Sequence, residues 1–195
     1  MSILTTISYA LILKINHVKY DVYMMVREIR KYPDPVLHKK TDRVETIDAT
    51  LRRLIDDMVE TMHAAPGVGL AANQIGVPLQ VAVIDLSAQE EAVRRHPLLV
   101  IINPEILSLE GAVIEEEGCL SIPEYTEKVK RAQKVKVRAL DREGKLFEIE
   151  AEGLLAKALQ HEIDHLNGLL FIDRLSPLKK NIFRRRYRKA VAEKA

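Results

Sequence analysis

The segment His161-Glu162-Ile163-Asp164-His165 carries the clearest chemical signal in this sequence. Two histidines four residues apart project from one face of an α-helix, so both imidazoles can bind one metal ion. Glu162, beside the first histidine, can then contact a metal-bound water without binding the metal itself. A pattern this short also arises by chance, so the segment alone leaves a metal site and an ordinary helix equally open.

A catalytic site of this kind needs a third protein ligand and an open position for water. Metzincin proteases supply a histidine at the position that Phe171 occupies here. Thermolysin-like enzymes supply a glutamate further along the chain, but residues 181–190 contain no acidic residue. Both common protease arrangements therefore lack their third ligand.

The single cysteine, Cys119, offers another third ligand. Its thiolate would complete a Cys-His-His site, and Gly118 before it permits tight backbone geometry. A lone cysteine also occurs as a small buried hydrophobic residue or as a reactive thiol, and composition alone favours the buried residue. One cysteine allows no intrachain disulfide, which is the usual situation in a reduced intracellular compartment.

Hydrophobic periodicity and chain breakers predict the elements that position these residues. Residues 152–167 are predicted to form the helix that carries both histidines, ending near Gly168. An amphipathic helix is predicted after the N-cap Asp48, with Pro66 and Gly67 ending it. Strands are predicted at residues 80–86, 99–103, 134–140 and 145–151, with a hairpin turn at 141–144.

This order of elements predicts an α+β fold, in which antiparallel or mixed strands pack around a central metal-binding helix. An N-terminal helix and a C-terminal helix after Pro177 complete the prediction. The chain of 195 residues suffices for one domain, and 47% hydrophobic with 30% charged residues is typical of a globular protein. A formal net charge of only +2 gives no reason to expect DNA as a partner.

Three segments together resemble the sequence motifs of the peptide deformylase family. They occur in the family's order and with similar gaps: Gly67-Val68-Gly69-Leu70-Ala71-Ala72-Asn73-Gln74, Glu117-Gly118-Cys119-Leu120-Ser121 and Gln160-His161-Glu162-Ile163-Asp164-His165. The first segment alone is a weak signal. The three together are highly specific, and they outweigh the interpretation of Cys119 as a buried hydrophobic residue.

The resemblance implies a metal-dependent hydrolase that removes the formyl group from the N-terminal formylmethionine of newly synthesised polypeptides. It implies that Cys119, His161 and His165 bind the metal, with water as the fourth ligand. In bacterial members the ion is usually Fe²⁺, and Zn²⁺, Ni²⁺ or Co²⁺ can occupy the same site. The bound water would attack the formyl carbon while Glu162 acts as general base and then passes the proton to the leaving amine.

The resemblance also implies how the substrate is held. The side-chain amide of Gln74 and the backbone N–H of Leu120 would donate to the developing oxyanion. Four residues would contact the substrate: Val68, Leu154 and Ala158 around the methionine side chain, and Gly69 along the backbone. Two residues depart from the family pattern, because Lys157 replaces an apolar residue and Thr126 stands where many bacterial members carry an arginine.

The family's usual start aligns with Met25, so residues 1–24 are expected to lie outside a deformylase domain of residues 25–178. Residues 3–13 are rich in apolar side chains but too few to span a bilayer, and no lysine or arginine precedes them as in a signal peptide. We therefore expect a cytoplasmic enzyme without a membrane partner.

The tail, residues 179–195, is predicted to form a basic helix. Its charges are eight cations and one acid: Lys179, Lys180, Arg184, Arg185, Arg186, Arg188, Lys189 and Lys194, with Glu193. Its apolar residues suit one helical face that packs on the domain: Ile182, Phe183, Tyr187 and Val191. Bacterial deformylases dock on ribosomes through such a tail, so a contact near the exit tunnel is expected. A solvated charged face is the alternative.

Two rival functions remain open at this point. A metallopeptidase of another H-E-x-x-H class would use the same helix, although its downstream ligand is missing. A non-catalytic, ribosome-associated module would hold a structural metal with four protein ligands. The sequence contains no second cysteine, and such a module would leave Glu162 without a role.

Overall fold

The computed structural model describes residues 25–87 and 98–194, with side chains described up to residue 189. The predicted extension, residues 1–24, therefore lies outside the described residues. The elements in chain order are α1 (Ala49–Ala64), β1 (Gly69–Ala71), β2 (Val81–Asp85), β3 (Leu98–Glu110), β4 (Val113–Cys119), β5 (Ile122–Arg131), β6 (Lys134–Leu140), β7 (Leu146–Glu152), α2 (Gly153–Leu166) and α3 (Pro177–Lys194). Within these ranges, no helix is both long and apolar enough to cross a membrane.

The strands form two antiparallel sheets. Five strands make the larger sheet in the order β1-β2-β3-β6-β7, and β4 pairs with β5 in a separate hairpin. Helix α2 follows β7 without a loop, so the sheet delivers the chain directly to the predicted metal-binding helix. The predicted α+β fold, with an N-terminal, a central and a C-terminal helix, is confirmed.

The larger sheet lies between α1 and α2, as the alternation of side chains along β2 shows. Val83 belongs to the buried cluster that contains Met58 of α1. Ile84, the next residue, belongs to the cluster that contains Leu159 of α2. Because both faces of β2 are covered, its residues form a nearly continuous apolar run. Helix α2 packs against one of these faces.

Local capping explains where the helices begin and end. The side chain of Asp48 accepts a hydrogen bond of 2.8 Å from the backbone N–H of Leu51 and so caps α1 as predicted. The chain turns after α2 at Gly168, which has a φ of +73°. A Cβ on Gly168 would lie 2.6 Å from the carbonyl oxygen of His38, so only glycine fits this turn.

The hairpin of β4 and β5 is the main element that sequence periodicity did not predict, and β3 also extends well beyond residues 99–103. Residues 115–117 of β4 are three consecutive glutamates, and β5 contains Pro123 and four charged residues besides its terminal Arg131. Such residues have low strand propensity. The hairpin forms nevertheless, because ten-residue β5 pairs along nearly all of β4.

Helix α3 packs on the domain through two aromatic residues. Phe183 is fully buried, and its ring centroid lies 5.3 Å from that of Tyr32 and 4.7 Å from that of Tyr125. Tyr187 lies one turn further and packs on Tyr32 at 5.0 Å. The predicted apolar face is wrong for Ile182, which is 39% exposed because it lies about 100° around the helix from Phe183. The side chain of Val191 lies outside the described residues.

The contacts of Met25 and Arg27 suggest a test of the predicted domain boundary at Met25. The backbone N–H of Met25 and the guanidinium of Arg27 both bind the buried carboxylate of Asp57, at 2.9 and 2.7 Å. A chain that begins at Met25 keeps these contacts, so its thermal unfolding midpoint and activity should match those of the full chain. A chain that begins at Glu28 leaves Asp57 unpaired and should lose about 1–3 kcal/mol of stability. A lower midpoint for the Met25 chain would contradict the boundary.

Candidate metal centre

Three candidate ligand atoms from two elements, β4 and α2, converge. His161 and His165 lie one turn apart on α2, with their Nε2 atoms 3.2 Å apart. Cys119 is the last residue of β4, and the register of the hairpin shifts between Gly118 and Cys119. The Sγ of Cys119 lies 3.2 Å from Nε2 of His165. All three ligand atoms lie within 4.8 Å of one another. The structure thus brings together the three ligand residues that the sequence predicts.

This donor set fits a metal ion. One sulfur and two imidazole nitrogens are the usual ligands of divalent transition metals, and three protein ligands leave a coordination position open, as in catalytic sites. The neighbouring Glu162 supports this interpretation, because its Oε2 is buried without a hydrogen-bond partner in the described structure. A buried carboxylate oxygen without a partner is unusual unless the site receives another polar group.

A carboxylate fixes the orientation of His161. Oε1 of Glu117 lies 2.5 Å from Nδ1 of His161, so the ring donates through Nδ1 and turns Nε2 toward the other ligands. Burial acts to raise the pKa of Glu117, but hydrogen bonds from His161 and Arg131 outweigh it and lower the pKa to about 2. Glu117 is therefore an ionised acceptor at neutral pH.

The surroundings shift the pKa values of the two histidines in opposite directions. Burial opposes protonation of His161, but hydrogen bonds with Cys119 and Glu117 outweigh burial and hold its pKa well above the usual value. Burial and the repulsion of a charged His161 hold the pKa of His165 well below the usual value. A cation between the three ligand atoms would compete with the proton on His161 Nε2, because both would occupy the same place.

A buried cluster of charged side chains connects the β4–β5 hairpin to α2 beside the centre. Arg131 donates to Glu117 at 2.6 Å and to Asp164 at 2.5 Å. Arg174, whose side chain is partly exposed, forms an ion pair with the same carboxylate of Asp164. Glu117, Arg131 and Asp164 are all buried, so each charge depends on its partners for stabilisation.

Glu162 lies in a different environment from Glu117. It faces Gly69 of β1, where a Cβ would come within 2.3 Å of Glu162 Oε1, so only glycine leaves room for this carboxylate. Burial raises the pKa of Glu162 to about 7. The structure therefore holds one carboxylate ionised and leaves the other able to exchange a proton near neutral pH.

Gln74 reaches the same centre from the 3₁₀ turn Ala72–Ile75. Its Oε1 accepts a hydrogen bond of 2.8 Å from the backbone N–H of Ala71, which directs the NH₂ group toward the candidate metal ligands. That group donates to Ser121 Oγ at 3.1 Å and approaches Cys119 Sγ at 3.6 Å. The amide orientation is thus fixed by its own turn, and its donors point at the site.

A cleft of about 610 Å³ opens onto the centre. All four residues predicted to contact the substrate line this cleft: Val68, Gly69, Leu154 and Ala158. Leu120 lines it as well. The two departures from the family pattern line it as well. Lys157 donates to Glu115 at 3.1 Å, and Thr126 donates to Glu116 at 2.5 Å, so both polar residues are paired with acidic residues of β4.

Sequence reasoning missed the residues that support the ligands. Glu117 stands two positions before Cys119 inside the second motif, so the motif itself could have indicated it. Arg131 has no local signal, because it reaches Glu117 only through the hairpin that was not predicted. Ser121 lies in the second motif but contacts Gln74 from a distance of 47 residues along the chain.

Comparison with known proteins shows the family to which the chain is related. The family described as Polypeptide deformylase matches residues 26–181. A peptide deformylase of Syntrophobacter fumaroxidans is 54% identical over 170 residues, which is 87% of this chain and 98% of the relative.

Solved structures agree with the sequence match. A peptide deformylase from Legionella pneumophila superimposes with a TM-score of 0.77 at 51% identity, covering 86% of this chain and 98% of that one. A class I type b peptide deformylase from Acinetobacter baumannii, solved with Met-Ala-Ser bound, gives a TM-score of 0.72 at 34% identity and covers 78% of this chain and 99% of that one. From its sequence, its fold and the match across most of its length, the chain belongs to the polypeptide deformylase family.

Proposed function

We propose that Cys119, His161 and His165 hold the metal ion with which this enzyme removes the formyl group from N-terminal formylmethionine, and that Glu162 moves the proton. The observation that carries the proposal is the convergence of three ligand atoms within 4.8 Å beside a buried carboxylate. When bound there, a divalent ion would polarise the formyl carbonyl and the attacking water.

Glu162 is the group best placed to accept the proton of the attacking water. Its Oε2 is buried and makes no hydrogen bond with another described residue, so the lone pairs of this oxygen remain available. Glu117, the other nearby carboxylate, is bound by His161 and Arg131. Glu162 would then return the proton to the amine as the C–N bond of the formyl group breaks.

Two N–H donors would stabilise the oxyanion that forms at the formyl carbon. The NH₂ group of Gln74 is held toward the centre by the bond between its Oε1 and Ala71. The second donor would be the backbone N–H of Leu120, the residue that follows Cys119 and lines the same cleft. Neutral amides suit this role because they donate without competing for the metal.

We propose that the methionine side chain of the substrate enters the cleft between Val68, Leu154 and Ala158. These apolar residues line the cleft next to the metal centre, and Gly69 lies beside them at the start of β1. The Met-Ala-Ser peptide in the Acinetobacter baumannii relative, which begins with methionine, supports a substrate of this kind.

The role of Glu162 is tested by Glu162→Gln. An amide cannot accept the proton, so the variant should bind metal normally but hydrolyse formyl-Met-Ala about 10²–10⁴-fold more slowly. Gln74→Leu removes an oxyanion donor and leaves Glu162 in place, so it should lose about 10²–10³-fold. Formate release and metal content are measured for each variant. Wild-type turnover by metal-loaded Glu162→Gln would show that another group is the base.

We propose Fe²⁺ as the bound ion, on the family resemblance, because two nitrogens and one sulfur do not by themselves select iron over zinc. Protein isolated without oxygen should contain one Fe²⁺ per chain and should lose activity in air, since O₂ oxidises ferrous iron. Co²⁺- or Ni²⁺-loaded protein should remain active in air. Zinc as the main metal in anaerobically isolated, active protein would overturn the assignment.

We also propose that α3 contacts the ribosome in the cytoplasm, so that the enzyme meets nascent chains near the exit tunnel. Phe183 anchors the helix, while Arg184 and Arg185 next to it are exposed. Lys179 and Lys180 are instead paired with Glu127 and Asp173 within the domain. The exposed arginines are therefore the charges most available to ribosomal RNA.

Charge reversal tests this contact better than truncation, because truncation would also remove the buried ring of Phe183. Arg184→Glu/Arg185→Glu should weaken co-sedimentation with ribosomes and reduce the slope of log K against log salt by about two. Arg52→Glu/Arg53→Glu, which reverses two exposed arginines of α1, is the matched control. Equal binding by both variants and wild type would rule out these two charges, whatever the activity on free peptides.

A further inference from the structure

The backbone of the segment Arg30–Tyr32 is hydrogen-bonded to two residues that neighbour the candidate metal centre. The backbone N–H of Arg30 donates to the carbonyl oxygen of Gln74 at 2.7 Å, and that of Tyr32 donates to the carbonyl oxygen of Ser121 at 2.8 Å. The ring of Tyr32 is also packed between Phe183 and Tyr187. The backbone on both sides of Lys31 is therefore fixed relative to the first and second motifs.

Lys31 makes one contact that the mechanism does not use. Its Nζ donates to the backbone carbonyl oxygen of Leu120 at 2.5 Å. The same peptide unit carries the N–H of Ser121, which points at Cys119 Sγ across 3.4 Å. A single peptide group thus lies between the ammonium of Lys31 and the sulfur of Cys119.

The two hydrogen bonds reinforce each other electrostatically. A peptide group has a dipole of about 3.5 D, with the negative end at oxygen and the positive end at N–H. The cation of Lys31 binds the negative end, so it increases the partial positive charge that the N–H of Ser121 presents to the sulfur. Consecutive hydrogen bonds strengthen one another by roughly 10–30% each.

We propose that Lys31 is a positioning residue for the Cys119 ligand, acting through the peptide between Leu120 and Ser121. It holds the Ser121 N–H on the sulfur and withdraws electron density from the thiolate that binds the metal. Hydrogen bonds to a metal-bound sulfur tune the metal in this way in other proteins. The inference rests on the proposed metal site, since it assigns Lys31 a role only if Cys119 is a ligand.

The geometry favours this role over a purely structural one. Backbone hydrogen bonds of Arg30 and Tyr32 already hold the segment, so the ammonium is not needed to attach it. Gln74 also approaches the sulfur, at the longer distance of 3.6 Å, but its NH₂ group is the proposed donor to the oxyanion. The Ser121 N–H has no such second role, so it is the donor left to the sulfur.

The experiment uses the full chain loaded with Co²⁺, whose sulfur-to-metal charge-transfer band in the near ultraviolet reports directly on the thiolate. Lys31→Met keeps the aliphatic chain and removes the charge. It should shift the band to longer wavelength, because the electrons of a less stabilised sulfur need less energy to reach the metal. Lys31→Arg, which can still donate to the carbonyl, should restore the wild-type position. Lys40→Met, at another exposed lysine, is the control.

Each outcome decides between the roles. An unchanged band in Lys31→Met overturns the inference, whether the variant then shows a lower unfolding midpoint, as a structural role predicts, or only a raised KM, as a direct substrate contact predicts. An equal shift in Lys40→Met overturns it as well. Co²⁺-loaded Cys119→Ser must lose the band. If it keeps the band, Cys119 is not the ligand, and the metal-site proposal fails together with this inference.

Discussion

The carboxylate of Glu117 on β4 meets the imidazole of His161 on α2, and the site depends on this contact. Arg131 extends it by binding Glu117 and Asp164 together, which ties the hairpin to the helix through buried charges. Removing one partner of such a buried pair typically costs about 3–5 kcal/mol, because the other is left unpaired. Glu117 stands two residues from Cys119, so the contact that joins the elements also sets the spacing of the ligands.

The pKa values of Glu117 and Glu162, the two glutamates beside His161, are shifted in opposite directions. Glu117 is buried but receives hydrogen bonds from His161 and Arg131, so its pKa falls to about 2 and it remains an acceptor. Glu162 is buried without such partners, and its pKa rises to about 7. Separating the pKa values of neighbouring carboxylates through their surroundings lets one serve as a fixed support and the other as a proton carrier.

What the sequence predicts here follows from the range of the interactions. Helix α2 and its two histidines were predictable because helical spacing is local, and Gln74 and Cys119 because whole motifs carry them. The β4–β5 hairpin was missed, since its glutamates form a strand only through pairing with β5. The roles of Arg131 and Lys31 could not be predicted either, because each side chain contacts a partner that is not a neighbour in sequence. Family membership also decides against the metallopeptidase and the non-catalytic module that the short motif alone left open.

The candidate ligands lie far apart along the chain, and this separation makes the site a property of the whole fold. Cys119 of β4 and His165 of α2 are 46 positions apart, and they come together only where both elements are in place. Closing a contact between positions this distant costs loop entropy, which the packing of the intervening elements must offset. Helix α2 alone carries the two imidazoles, while β4 carries the sulfur. An excised peptide of residues 153–166 would therefore present only two of the three side chains, and the folded domain presents all three.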